Sequence, residues 1–454
     1  MRIPRIMISA SSSGSGKTLV TCGLLKTLIT RKMKTASFKC GPDYIDPMFH
    51  SRIIGAKSKN LDTFFTDDNI TKYLLCESAR EADISVIEGV MGYYDGMEAS
   101  SANGSSYALA KLTRTPVILV VDCKGMSLSV VAEIEGFVNF FEDSGIKGVI
   151  LNRMPKSLYN EMKQIIEDRT GVKVMGYLPS VPELIIESRH LGLVTPDEID
   201  GLDEKLGKLA AIMEEALDID GIIAMAADAP VIEYEDVRIP HVSGEPVIAV
   251  ARDEAFCFYY EDNLKLLQKM GAKIIYFSPM RDKKVPDEAD ALMLGGGYPE
   301  VHAKILSENS SMLDSIKAAT DGGLPCMAEC GGFMYLHEAM EDMEGNVHKM
   351  AGVIKGKAYK TSKLGRFGYI KLTALENQFL GNKGDAIKGH EFHYFDSTNC
   401  GTSFLAEKPN GKKRWECIHG STNMAAGFPH LYYYSNINVP YNFLEKVAEQ
   451  KERQ

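Results

Sequence analysis

A glycine- and serine-rich stretch near the N-terminus, Gly14-Ser15-Gly16-Lys17-Thr18, contains the residue types that bind phosphate groups. The two glycines let the backbone approach phosphate oxygens, Lys17 can reach the β- and γ-phosphates, and the Thr18 hydroxyl can coordinate Mg²⁺. The strict pattern G-x-x-x-x-G-K-S/T requires glycine at position 11, where this chain has Ser11. We therefore predict a nucleotide site with an atypical loop, and the alternative is a flexible serine-rich turn.

Two acidic stretches could complete such a site. The segment Lys39-Cys-Gly-Pro-Asp43-Tyr44-Ile-Asp46 offers a lysine and two carboxylates to Mg²⁺ or to an anionic acceptor. Glu88 follows the apolar run at residues 84–87, and a metal-holding acid is expected at the C-terminal end of a strand. Each acid could instead be a solvated residue or a turn former. The predicted metal ligands are Thr18, Asp43 and Glu88.

A cysteine in the second half of the chain has the sequence context of a nucleophile. In Pro325-Cys-Met-Ala-Glu-Cys330-Gly331-Gly332, an apolar strand runs into a cysteine that is followed by two glycines and a helical pattern. A sharp strand-to-helix turn lifts such a side chain out of the sheet, and the helix N-terminus stabilises a thiolate. Cys326, four residues earlier, is predicted to be a small core residue.

Acyl transfer at Cys330 would also need an oxyanion hole and a base. Gly295, Gly296 and Gly297 follow another predicted strand and, with Gly331, can direct backbone N–H groups toward an oxyanion. The candidate bases are His390, His393 and His430. Residue types and spacing alone do not choose among these three histidines.

Both groups of residues require strands that end in loops. In the first half, apolar runs predict strands at Arg5–Ala10, Ile84–Glu88, Val117–Asp122, 148–152 and 174–177, with helices between them such as residues 17–31. After a segment rich in Pro and acidic residues around 220–246, the alternation restarts, and apolar runs predict strands at 246–252, 273–277, 291–294 and 324–329. We predict two α/β domains, at 1–225 and 246–454, each a mostly parallel sheet covered by helices, with a linker at 226–245.

Composition narrows the class of protein. The chain has 454 residues, 45% of them hydrophobic, and a formal net charge of −10, which argues against a nucleic-acid-binding surface. No apolar run reaches the length of a membrane span and no signal peptide is evident, so we expect a cytoplasmic enzyme without a membrane partner. The nine cysteines form no C-x-x-C pair, which fits free thiols in a reducing compartment.

The motifs SSSGSGKT, GPDYIDP, EGVMGYYDG, RHLGL, GGGYPE, AECGGFMYL and GHEFHY occur in an order and spacing that resemble the cobyrinic acid a,c-diamide synthase family over essentially the full length. The resemblance implies a dethiobiotin-synthetase-like, P-loop NTPase-like ATP domain followed by a class I glutamine amidotransferase-like domain. It also implies that Cys330 is the glutaminase nucleophile and that His430 raises its nucleophilicity. Relatives usually carry a second histidine two residues on, where this chain has Tyr432.

Further roles come from the same resemblance. It implies that Asn152 contacts adenine, although a capping or turn role is the alternative. The residues that it places at the acidic substrate are Lys39, Tyr44, Asp46, Asp95, Arg189 and His190.

The implied reaction is amidation of the a and c acetate carboxylates of cobyrinate through acyl phosphates, with ATP and Mg²⁺ as cofactors and glutamine as nitrogen donor. The same motifs would serve nickel sirohydrochlorin or hydrogenobyrinate, and a homodimer is left open. A non-enzymatic alternative is a nucleotide-dependent dimer switch. Such switches carry a second lysine five residues before the Walker lysine, where this chain has Ser12.

Overall fold

The computed structural model describes residues 1–181, 188–189 and 192–453. By internal contacts the chain divides into two compact units, Met1–Val237 and Arg238–Gln454. In the described part of the chain, no helix is long and apolar enough to cross a membrane.

The N-terminal unit is built on a seven-stranded parallel sheet. Its strands are β1 (Arg5–Ala10), β2 (Thr35–Cys40), β3 (Lys59–Leu61), β4 (Ile84–Glu88), β5 (Val117–Asp122), β6 (Ile146–Asn152) and β7 (Lys173–Leu178), in the order β3-β2-β4-β1-β5-β6-β7. Every residue of β1 and β4 is buried, as expected of central strands in a parallel sheet. All five strands predicted in this half are present. A separate antiparallel pair is formed by β8 (Ser188–Arg189) and β9 (Gly192–Leu193).

Eight helices are described in this unit: α1 (Lys17–Thr30), α2 (Ile45–Ile54), α3 (Asp68–Ala79), α4 (Ser106–Thr113), α5 (Leu128–Asn139), α6 (Lys156–Thr170), α7 (Leu202–Ala216) and α8 (Ile219–Ala227). Most of α8 lies inside the segment around 220–246, where the sequence suggested that regular structure ends. Its first turn is capped by the Asp218 carboxylate, which accepts the N–H of Gly221 at 2.8 Å. A helix therefore occupies the first two residues of the predicted linker at 226–245, and the boundary between the units follows Val237.

The C-terminal unit contains two sheets. Its strands are β10 (Val247–Ala251), β11 (Lys273–Phe277), β12 (Ala291–Leu294), β13 (Cys326–Glu329), β14 (His337–Glu341), β15 (Val347–Lys349), β16 (Ile354–Ala374), β17 (Ala386–Ser397), β18 (Phe404–Glu407), β19 (Arg414–Cys417), β20 (His419–Gly420), β21 (Met424–Gly427) and β22 (His430–Leu431). Its helices are α9 (Glu261–Lys269), α10 (Ala303–Glu308), α11 (Ser310–Asp321), α12 (Gly331–Tyr335) and α13 (Asn438–Arg453).

The first of these sheets has the order β11-β10-β12-β13-β21-β20 and is parallel except for β20. It contains the strands that the sequence predicted in this half. The second sheet, in the order β15-β14-β16-β17-β22, is mostly antiparallel and was not predicted. Its two long strands, β16 and β17, pair with register shifts around Gly365, which interrupt the regular alternation that identifies a strand in a sequence.

A buried arginine fixes the start of the central strand of the N-terminal unit. The guanidinium of Arg5 is fully buried and donates to the carbonyl oxygens of Ile3, Thr113 and Pro230 and to the Thr115 hydroxyl. Burial lowers its pKa to about 10, which leaves it charged at neutral pH. Since Pro230 follows α8, Arg5 attaches the segment after that helix to the edge where β1 begins.

We expect Arg5→Lys to lower the free energy of unfolding of the N-terminal unit by about 2 kcal/mol, because an ammonium group cannot reproduce the planar set of donors. Urea denaturation of the full chain measures the change. Arg2→Lys is the matched control, because the bond from Arg2 to the Ala227 carbonyl is exposed and long, at 3.4 Å. If Arg5→Lys unfolds with the same urea midpoint as the wild-type protein, this role of Arg5 is contradicted.

Candidate active sites

The phosphate-binding loop connects β1 to α1. Gly14 and Gly16 have φ of 80° and 97°, a left-handed conformation that favours glycine. A Cβ at position 16 would lie 2.4 Å from Nδ2 of Asn152, so only glycine fits there. The same Nδ2 donates to the Ser15 carbonyl at 2.8 Å. Asn152, at the end of β6, thus supports the loop in this structure, and its contact with adenine stays a prediction.

The side chain of Lys17 turns back across the loop. Its Nζ donates to the carbonyl of Met91 at 2.5 Å and to that of Ser12 at 3.4 Å. Burial and the positive charge of Lys39 lower the pKa of Lys17 to about 8, although carboxylates including Glu88 oppose the shift. A phosphate anion would therefore meet a lysine that is mostly desolvated and close to the positive end of α1.

Glu88 is the centre of this site. The carboxylate is fully buried at the end of β4, and Oε1 accepts hydrogen bonds from Thr18 Oγ1 at 2.7 Å and Lys39 Nζ at 3.0 Å. Oε2 lies 2.8 Å from Nε2 of His50. Burial would raise the pKa of Glu88, but the charge of Lys39 and the bonds from His50 and Thr18 hold it well below the usual range. The carboxylate is therefore ionised.

The predicted metal ligands are brought together only in part. Oδ1 of Asp43 accepts the backbone N–H groups of Ile45 and Asp46, at 2.8 and 3.1 Å, and so caps α2. In residues 1–181, 188–189 and 192–453, no three His, Cys, Asp or Glu side chains form a metal-binding group. A hydroxyl and a carboxylate 2.7 Å apart at Thr18 and Glu88 nevertheless fit Mg²⁺, which takes few protein ligands and completes its shell with phosphate and water.

The predicted substrate residues have varied surroundings. Lys39 is buried and pairs with Asp46 at 2.5 Å as well as with Glu88. Tyr44 immediately precedes α2 and is also buried. Oδ2 of Asp95 accepts the N–H of Gly92 at 2.9 Å and stabilises the loop after β4. The backbone of Arg189 lies in β8, whereas His190 falls outside the described residues.

In the C-terminal unit, Cys330 lies on a strained turn between β13 and α12. Its φ of 46° and ψ of −102° are unfavourable for a residue with a side chain, and its N–H donates to the Gly427 carbonyl at 2.8 Å. Burial raises the pKa of the Cys330 thiol well above its usual range, and the nearby carboxylates of Glu300 and Glu391 raise it further. The N–H of Gly331, which donates to the sulfur, acts in the opposite direction. The resting thiol therefore needs a base to ionise it.

The three glycines after β12 are packed too closely for any side chain. A Cβ at Gly296 would lie 2.4 Å from Cε1 of His430, and one at Gly297 would lie 2.2 Å from the Ala255 carbonyl. A Cβ at Gly331 would lie 3.2 Å from the Gly297 nitrogen, so this loop is close to both His430 and the cysteine turn. The Gly295 N–H donates to the Tyr259 hydroxyl at 2.7 Å, so this donor is already used within the structure. The candidate oxyanion donors are Gly296, Gly297 and Gly331.

The three candidate bases differ in their surroundings. Both ring nitrogens of His393 are engaged, with the Glu391 carboxylate at 2.9 Å and the Phe395 carbonyl at 2.6 Å. Nδ1 of His390 lies 3.1 Å from the Tyr260 hydroxyl, and burial lowers the pKa of His390 well below its usual value. His430, at the start of β22, contacts the glycine loop beside Cys330. This position favours His430 as the base.

Two groups at these sites, the buried His50 and the partly exposed Glu329, were not predicted from the sequence. His50 bonds to Glu88 from α2, and Glu329 faces His430 from the residue before the cysteine, with 3.7 Å between Oε2 and Nδ1. No motif marks His50, because its partner is 38 residues away. Glu329 could have been suspected from its position next to Cys330, but only folding shows which side chain it meets.

Known protein families match the N-terminal and the C-terminal unit of the chain separately. Residues 6–194 match the CobQ/CobB/MinD/ParA nucleotide binding domain, and residues 247–436 match the CobB/CobQ-like glutamine amidotransferase domain. Proteins named cobyrinate a,c-diamide synthase are similar along their whole length. One from Caldanaerobacter subterraneus is 41% identical, covering 97% of this chain and 98% of the relative. One from Listeria monocytogenes is 42% identical, covering 96% and 97%, and one from Priestia megaterium is 36% identical, covering 99% and 98%.

Fold, sites and matched domains together define an ATP-dependent ligase that uses glutamine as its nitrogen donor. The predicted class, two α/β domains that each contain a parallel sheet, is confirmed. The chain belongs to the cobyrinate a,c-diamide synthase family, which confirms the resemblance found in its motifs.

We expect Gly296→Ala to lower kcat for glutamine hydrolysis at least about tenfold, because the new methyl group would displace the His430 ring by more than an ångström. The assay is release of glutamate by the full chain. Gly365→Ala is the matched control, since its added Cβ would meet nothing closer than the His393 ring at 3.9 Å. Equal activity of the two variants would show that the close approach of Gly296 to His430 is unimportant.

Proposed function

We propose that the protein amidates the a and c acetate carboxylates of cobyrinate, in cobalamin biosynthesis, using ATP to form acyl phosphates and glutamine to supply ammonia. The observation that carries this proposal is the full-length similarity to relatives named for that activity. The two candidate sites support the proposal. The phosphate site would activate the carboxylate, and the cysteine site would release ammonia from glutamine.

The N-terminal unit would perform the activation. A carboxylate is a poor electrophile, and transfer of the γ-phosphoryl group of ATP converts it into an acyl phosphate with a good leaving group. The charged Lys17 and the N–H groups at the start of α1 would stabilise the transferring phosphoryl group. Thr18 and Glu88 would hold Mg²⁺, and the bound ion would neutralise part of the phosphate charge. Lys39 and His50 keep the Glu88 carboxylate ionised and oriented for that role.

The C-terminal unit would release ammonia. His430 accepts the Sγ proton of Cys330, and the thiolate forms a bond to the side-chain carbonyl carbon of glutamine. The N–H groups of Gly296, Gly297 and Gly331 are the candidates to stabilise the resulting oxyanion. His430 then returns the proton to the departing nitrogen, the C–N bond breaks, and ammonia leaves a γ-glutamyl thioester. Water hydrolyses the thioester to glutamate and the free thiol.

The acceptor would be held near the carboxyl edge of the N-terminal sheet. Lys39 and Asp46 form a buried ion pair beside Glu88, so their role would be to set the charge around the reacting carboxylate. Tyr44 at the start of α2 and Asp95 in the loop after β4 flank this edge of the sheet. Arg189 and His190 are the candidates to pair with peripheral carboxylates of the macrocycle.

Two variants separate the half-reactions. Cys330→Ala should lose glutamine-dependent amidation but keep amidation with ammonium chloride as nitrogen source, because the thiol serves only to release ammonia. Lys17→Ala should lose amidation with either source, since both require the acyl phosphate. ATP turnover and product mass measure these outcomes. Amidation by Lys17→Ala with added ammonia would contradict the acyl-phosphate route, and glutaminase activity in Cys330→Ala would contradict the role of the thiol.

The identity of the acceptor is tested with cobyrinate, hydrogenobyrinate and nickel sirohydrochlorin as parallel substrates. We expect kcat/KM to be highest for cobyrinate, with a product mass that corresponds to two amidations. A kcat/KM at least about tenfold higher for either other macrocycle, equivalent to about 1.4 kcal/mol of transition-state binding, would overturn the proposed substrate. Omission of ATP is the control for each substrate.

A further inference from the structure

His430 needs a group that orients its ring and stabilises its charge after it takes the proton of Cys330. Residue 432, two positions later, is a buried tyrosine and cannot supply a negative charge at neutral pH. Glu329 is the carboxylate that lies at the ring, with Oε2 3.7 Å from Nδ1 of His430. Its side chain is 17% exposed, whereas that of His430 is 2% exposed.

Backbone geometry fixes the direction of this carboxylate. Glu329 is the last residue of β13, and its partner across the parallel pairing is Gly427, the last residue of β21. Three residues later β22 begins, and the N–H of Leu431 donates to Oε1 of Glu329 at 3.3 Å. One oxygen is thereby held by the strand that carries His430, and the other faces the imidazole.

We propose that Glu329 is a positioning residue for glutamine hydrolysis, which orients His430 and stabilises the imidazolium formed when Cys330 is deprotonated; this rests on the proposed roles of Cys330 and His430. The end of β13 would then carry both the nucleophile, Cys330, and the carboxylate that orients its base, Glu329. Proton transfer from Sγ to the ring creates a positive charge next to an existing negative charge, which lowers the energy of the ionised pair.

Two neighbouring groups, His390 and Glu391, are less suited to provide this charge. The imidazole of His390 stacks on His430 with 4.9 Å between ring centres, and burial lowers the pKa of His390, so this ring is neutral. The buried carboxylate of Glu391 is held by the His393 ring at 2.9 Å and by the Trp415 indole N–H at 3.1 Å. The carboxylate of Glu329, with Oε2 3.7 Å from Nδ1 of His430, is placed to provide this charge.

The test compares Glu329→Gln with Glu329→Asp in the full chain. Glutamine is nearly isosteric and can still accept the Leu431 N–H, but it carries no charge. We expect Glu329→Gln to lower kcat for glutamine hydrolysis about tenfold to a hundredfold, with KM for glutamine changed less than about twofold. Glu329→Asp should restore at least about a third of the wild-type kcat. Amidation driven by ammonium chloride should be unchanged in both variants, which restricts the effect to glutamine hydrolysis in the C-terminal unit.

Three results would overturn the inference. The first is a wild-type kcat in Glu329→Gln, and the second is a change in KM without a change in kcat. The third is an equal loss of kcat in Glu329→Asp and Glu329→Gln, which would indicate that packing matters and charge does not. Cys330→Ala, assayed in parallel, separates this inference from the proposed function. If Cys330→Ala is inactive while Glu329→Gln is fully active, only the role of Glu329 fails. If Cys330→Ala still hydrolyses glutamine, the proposed glutaminase site itself fails.

Discussion

The buried charge of Glu88 is the constraint on which the nucleotide site depends. A carboxylate removed from water is costly unless charged or polar groups compensate it, and Glu88 has three such partners on three different elements. Thr18 comes from α1, Lys39 from β2 and His50 from α2. Compensation of a single charge therefore fixes the phosphate-loop helix, the second strand and the second helix relative to the end of β4. A metal ion at this carboxylate would join a preformed arrangement.

The cysteine site depends on close backbone packing instead of buried charge. The glycine loop after β12 approaches His430 and the Ala255 carbonyl at distances that exclude a side chain. The unfavourable backbone conformation of Cys330 is held by its N–H bond to Gly427 and by the pairing of β13 with β21. Because these contacts are steric and geometric, they position a neutral thiol beside the glycine loop that His430 contacts, without requiring the thiol to be ionised at rest.

The parts of the fold that could be predicted are those with local signals. Apolar runs such as Arg5–Ala10 and Ala291–Leu294 ended in glycine or acidic loops, and the structure has both strands at those bounds. The antiparallel sheet of the C-terminal unit was missed because β16 is 21 residues long, alternates imperfectly and contains bulges. Its stability comes from pairing with β17, a long-range contact that no local pattern encodes.

The sequence by itself determined the chemistry that is available: a phosphate loop with Lys17 and Thr18, and a cysteine between a strand and two glycines. It determined these because the spacing of such residues on a strand–loop–helix unit is local. Only the tertiary structure decided which distant groups complete each site. Asp43 caps a helix, His50 meets Glu88, and Glu329 faces His430, because these pairings depend on how strand ends and helices converge in space and not on distance along the chain.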